Sequence, residues 1–118
     1  MRGIVILDVT VQLGNAGYHS GEVGGVVPET FRIMRQLLDR LDNSATGEVM
    51  QELVAECPAY KEEEAQFMAN LAGEGLYRKY AVVEGGGYVS QDDLKQMYLG
   101  NTWRANMSIT GADGLPPI

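Results

Sequence analysis

The chain contains one cysteine, one histidine and one tryptophan in 118 residues, and basic side chains are scarce, 9 against 16 acids. The single thiol, Cys57, excludes an internal disulfide and fits a reducing compartment. With one imidazole, His19, and no Cys/His spacing, neither a structural zinc site nor a Ser-His-Asp set with a choice of bases is supported. The formal charge of -7 argues against a phosphate backbone or an anionic membrane surface as the main partner, so neither nucleic acid nor membrane is expected. No stretch approaches the roughly 20 apolar residues that span a bilayer. The apolar run Ile4, Val5, Ile6, Leu7 is broken by Asp8 before it could form the core of a signal peptide. A cytoplasmic chain is the expectation.

What is present suits one globular domain: 45% hydrophobic and 21% charged residues can bury a core. From Val5 to Leu13 every odd position is apolar, while the even ones pass from Ile4 and Ile6 to Asp8, Thr10 and Gln12. That period of two predicts a strand with one buried face. Residues 14–25 hold five of the fifteen glycines with Asn15, Tyr18, His19 and Ser20 among them, which predicts a loop. Pro28 and Glu29 then open a helix. Phe31, Met34, Leu38 and Leu41 form its apolar stripe, Ile33 and Leu37 widen it, and it ends near Asp42.

Residues 42–74 carry eight acids against Lys61 alone, so this segment accounts for the whole net charge and the remainder is neutral. Within it Met50, Leu53 and Val54 predict a short helix. Pro58 opens another in which Tyr60, Phe67, Met68 and Leu71 share one side until Gly73. Ser90, with Asp93 three residues on, reads as the N-cap of a helix through Leu94, Met97 and Tyr98 that Gly100 ends. Trp103, Ala105, Met107 and Ile109 alternate with Arg104, Asn106, Ser108 and Thr110, predicting a second half-buried strand with Trp103 as its core anchor. The order of elements is that of an α+β fold, although two strands make a poor sheet by themselves.

Few residues in this pattern carry chemistry. Glu62, Glu63 and Glu64 read as a solvated helix face, and Gly85, Gly86 and Gly87 as a flexible approach lacking the Lys-Ser/Thr of a phosphate loop. Cys57 reads as a small buried hydrophobe in acidic surroundings that disfavour a thiolate. Arg104 could hold a carboxylate bidentately or be an exposed strand arginine. His19 stands out by context: it lies in a glycine-dense loop that a packed core does not need, where an imidazole can be presented to another surface.

Two ordered sets of residues carry a resemblance. Residues 2–9 (Arg2 to Val9), Gly14, His19-Ser20-Gly21 and Gly24-Gly25-Val26-Val27-Pro28 form the first. Asn101-Thr102-Trp103-Arg104 with Ser108-Ile109-Thr110-Gly111 form the second. Together they resemble the lid, or dimerisation, domain of the dinuclear zinc peptidase and amidohydrolase family, which includes carnosinases, glutamate carboxypeptidase, aminoacylase and succinyl-diaminopimelate desuccinylase. The long helical insert, about residues 42–100, is most like the dipeptidase branch.

The resemblance implies a partial ferredoxin-like sandwich over residues 1–118. It also implies a homodimer through the lid and a peptide or N-acyl amino acid as substrate. His19 would reach the partner's active site, hold substrate and stabilise the oxyanion, with Ser20 and Gly21 shaping the loop. Asn101 and Arg104 become candidate substrate-binding residues, although Thr102 stands where carnosinase-like members place an arginine. No metal ligand falls in this chain: two zinc ions and the catalytic glutamate would belong to a catalytic domain elsewhere, and the segment alone would not hydrolyse. A strand, a helix and another strand would follow the segment matching residues 115–118. The alternative is a non-catalytic assembly or binding module.

Overall fold

The computed structural model describes residues 2–115. These fall into two compact units, one formed by Gly3–Met50 and the other by Gln51 onward together with Arg2.

In the first unit residues 3–13 carry no regular secondary structure and have no ladder partner, and the helical turn α1 (Ser20–Val23) and helix α2 (Thr30–Leu38) follow. The N-cap of α2 is Glu29, whose carboxylate accepts the Arg32 N–H at 2.9 Å, so the helix starts just after the proline that announced it. Ile33, Met34, Leu37 and Leu38 are half-buried along its stripe, and Phe31 remains exposed. Past α2 the chain folds back on itself. Asn43 Oδ1 accepts the N–H groups of Ala45 and Thr46, its own N–H donates to Glu48 O at 2.8 Å, and Met50 N–H donates to Leu41 O at 2.7 Å. Gly47, at φ +76°, supplies the left-handed residue this turn needs. The polar run that ends the predicted helix is therefore a tight reversal.

The second unit is a helix pair. A 3-10 turn (Gln51–Leu53) leads to α3 (Ala59–Ala72), a further 3-10 turn (Gly73–Leu76) and, after a loop, α4 (Leu94–Thr102). Pro58 and Gly73 bound α3 as expected, Gly73 taking φ +52°. The core is small: Ala65 and Ala69 of α3, Leu99 of α4 and Tyr77. Alanines four residues apart leave a shallow strip on α3 against which α4 packs closely. Tyr77 stacks on Tyr88 at 4.6 Å between ring centroids, which fastens the intervening loop. Arg2 donates to the carbonyl oxygens of Gly100 and Arg104 at 3.0 and 2.8 Å, tying the chain start to the end of α4.

Several expectations are corrected. The described residues form no strand or sheet, only an isolated antiparallel bridge between Asp42 and Val49, so the α+β ferredoxin-like sandwich is not the fold; this chain is helical. A period of two fits a strand, but a strand exists only when a neighbour takes its N–H and C=O groups, and residues 5–13 and 104–110 have no such neighbour. Trp103 anchors no strand: it caps α4, half-buried, and its Nε1–H donates to Ala55 O at 3.2 Å. Gly100 does not end α4, which runs to Thr102, and the N-cap is Asp93, accepting the Gln96 N–H, with Ser90 in the preceding turn at φ +53°. On α3 the large residues Tyr60, Phe67 and Leu71 face solvent while Ala65 and Ala69 are buried. The expected end of the chain at residues 116–118 lies outside the described residues.

Candidate functional site

The glycine-rich segment presents His19 as the N-cap of α1. His19 O accepts the Glu22 N–H at 2.9 Å, and the imidazole Nδ1 accepts the Gly21 N–H at 3.0 Å. With Nδ1 held as an acceptor, a neutral ring carries its proton on Nε2. The exposed side chain thus offers an N–H donor outward from a loop.

The glycines beside it have steric causes. A Cβ on Gly21 would stand 3.0 Å from both Cε1 and Nδ1 of His19, so a side chain there would push the ring by a few tenths of an ångström. A Cβ on Gly24 would lie 2.8 Å from Ser20 O, the acceptor of the Gly24 N–H that closes the turn. Gly25 follows at φ +81°. The turn is shaped by backbone clearance and holds the imidazole through the Gly21 N–H.

The other two candidates sit together at the end of α4. Asn101 is exposed; Arg104 is half-buried, with Nη2 on Gln96 Oε1. That bond leaves Arg104 further donors, but it aims the guanidinium along its own helix. His19 belongs to the other unit.

Sequence reading alone missed the polar cluster between α3 and α4. Lys61 Nζ reaches both oxygens of Glu64 at 3.0 Å, Tyr98 Oη donates to Glu64 Oε1 at 2.8 Å, and Lys95 pairs with Glu62 at 2.6 Å. Lys61, and then the Tyr98 hydroxyl, hold the Glu64 carboxyl below the usual carboxylate range; Lys95 does the same for Glu62. The Tyr98 hydroxyl is raised in turn by Glu64. Burial, and then the nearby Glu62, push the Cys57 thiol up, which keeps it protonated and weakly nucleophilic. The i,i+3 spacing of Lys61 and Glu64 is visible in sequence, but nothing local indicates that Tyr98 joins them.

Among the described residues no group of three or more His, Cys, Asp or Glu side chains is placed to hold a metal ion. No helix among the described residues is long and apolar enough to cross a membrane. An open depression of about 440 Å³ lies along Asp39–Asn43 and Glu48–Met50 and does not include His19. No family model and no curated protein matches the chain.

Proposed function

We propose that this chain is the dimerising and substrate-capping segment of a zinc-dependent dipeptidase or amidohydrolase, in which His19 acts on the active site of the partner subunit. The observation that carries this reading is the Gly21 N–H on His19 Nδ1, which leaves an exposed Nε2–H free to donate. A donor aimed where an oxyanion develops is worth roughly 3–4 kcal/mol in hydrolytic sites. His19 would hold the carbonyl oxygen of the scissile amide while charge builds on it. Asn101 and Arg104 are the candidates for a substrate carboxylate, and the substrate class is a peptide or an N-acyl amino acid.

The metal ligands and the base of such a hydrolase lie outside this chain, which is inactive alone. A cytoplasmic setting fits the single thiol, Cys57. In an active hydrolase carrying this segment, His19→Ala lowers turnover about a hundredfold or more with bound zinc unchanged; wild-type turnover in that variant sinks the assignment.

A non-catalytic assembly module is the second reading, favoured by the exposed apolar segment at residues 4–9. It predicts association without any effect of His19 on turnover.

A further inference from the structure

Of the six aspartates in the chain only Asp113 is followed by glycine, and no asparagine is. An aspartyl carboxyl can be attacked by the backbone nitrogen of the next residue, which closes a five-membered imide. A side chain on that next residue obstructs the approach, and glycine has none.

The structure adds placement to this spacing. Gly114 N–H donates to Asp113 Oδ1 at 2.8 Å, so the nitrogen stands against the carboxyl it would attack. Among the described residues no other aspartate or asparagine side chain receives the N–H of its own successor. Asp93 Oδ1 accepts the Gln96 N–H as a helix cap, and Asn43 Oδ1 accepts those of Ala45 and Thr46. Both are committed beyond the adjacent residue.

Nothing else restrains the dipeptide. Gly114 lies at φ +78°, and the place a Cβ would take there is open space. Residues 111–115 are exposed, belong to no helix and make no backbone hydrogen bond to another described residue. The backbone can therefore turn into a ring, and water reaches it.

We propose that Asp113-Gly114 is a site of covalent backbone modification, which isomerises through the cyclic imide to leave an isoaspartyl residue at position 113. Gly114 N forms a bond to Cγ of the protonated Asp113 carboxyl. A Cγ–O bond breaks, and the amide proton departs with that hydroxyl as water. Water then adds to one of the two imide carbonyls. Addition at Cγ restores aspartate. Addition at the main-chain carbonyl carbon breaks its bond to nitrogen and returns a proton to that nitrogen. The chain now runs through Cβ and Cγ, and the freed α-carboxyl hangs from it. One water leaves and one returns, so no oxidant or cofactor is needed. Holding the two reacting groups together removes most of the conformational search that precedes ring closure.

The reaction involves neither His19 nor zinc and is separate from the hydrolase reading. Its test ages the full chain at neutral pH and follows the tryptic peptide that begins at Ala105. An isomer of unchanged mass is expected to accumulate with time, beside a small fraction lighter by one water. Fragmentation places the isomer at residue 113, and an isoaspartyl methyltransferase with labelled methyl donor marks it. The other five aspartates change several-fold more slowly. Asp113→Glu keeps the carboxylate but would need a six-membered ring, and it abolishes the isomer. Gly114→Ala slows it several-fold, with the helical circular dichroism of both variants intact. The chain unfolded in urea reports the dipeptide without its turn and isomerises no faster than the folded chain. A rate at Asp113 equal to that at Asp8 or Asp42 overturns the proposal. So does a Gly114→Ala chain as fast as the parent, or faster isomerisation in urea, which would mean that the turn protects the bond.

Discussion

Tyr98 Oη donates to Glu64 Oε1 at 2.8 Å, joining α4 to α3 across 34 residues of sequence. The same carboxylate takes both contacts from Lys61 Nζ, so one glutamate gathers a cation from its own helix and a hydroxyl from the next. A carboxylate accepting from two sides adds a specific tie to a helix pair in which only four of the described residues are buried. Tyr98→Phe leaves the ring in place and removes only the donor. It is expected to lower the melting temperature by a few degrees, read by circular dichroism, and Glu64→Gln combined with it adds little, because both changes remove one interaction.

The acid dependence follows from the same groups. Glu62 and Glu64 have folded-state values below the ordinary glutamate value, because Lys95 and Lys61 favour their charged forms. Their contribution to stability is complete above the unfolded value of about 4.3 and is lost as pH falls through the lower folded values. Urea midpoints are expected to hold steady from neutral pH down to that range and then to fall. Glu62→Gln with Glu64→Gln flattens the fall.

Leu99 is 1% exposed and, among the described residues, is the only large side chain fully buried. Leu99→Ala is expected to cost about 3 kcal/mol by the usual combination of lost transfer energy and residual cavity, measured by urea unfolding of the helical signal. Ala65, at 0% exposure, fails in the opposite direction. Ala65→Leu forces α3 and α4 apart at a cost of about 1–3 kcal/mol. Leu71→Ala, on the exposed side of α3, changes little.

Gly21→Ala tests the orientation of His19. Its methyl would meet the imidazole at 3.0 Å, so the ring is displaced and the Nδ1 contact weakened. Long-range proton–nitrogen correlation is expected to show His19 as the Nε2–H tautomer in the parent chain and as a mixture in Gly21→Ala. A parent ring already divided between tautomers would remove the physical basis of the proposed donor.

Cys57 is expected to react slowly. Burial and Glu62 raise its thiol, so alkylation by iodoacetamide at mildly alkaline pH runs slower than for a free cysteine. Glu62→Gln speeds it. An unchanged rate in that variant would mean that burial alone protects the sulfur.

Much of the local structure was legible. Pro28 with Glu29 and Pro58 with Gly73 marked element ends, because a missing N–H and a positive φ are properties of single residues, whereas α2 stops at Leu38, ahead of the end near Asp42 that the polar run at residues 43–47 suggested. His19 was legible as the one imidazole in a glycine-dense loop. The Gly21 contact was not, because it depends on the fold of the turn itself.

The sequence by itself determined the start of α2, both ends of α3 and the acidic character of residues 42–74, and it marked His19 as exposed in a glycine-rich segment. Only the tertiary structure decided that residues 5–13 and 104–110 form no sheet, that alanines and not the large apolar residues line the buried side of α3, and that Tyr98 closes on Glu64. The reason is physical. Periodicity reports which side chains can share a face, but a strand needs a partner for its backbone, and a helix face is buried only where another helix fits against it.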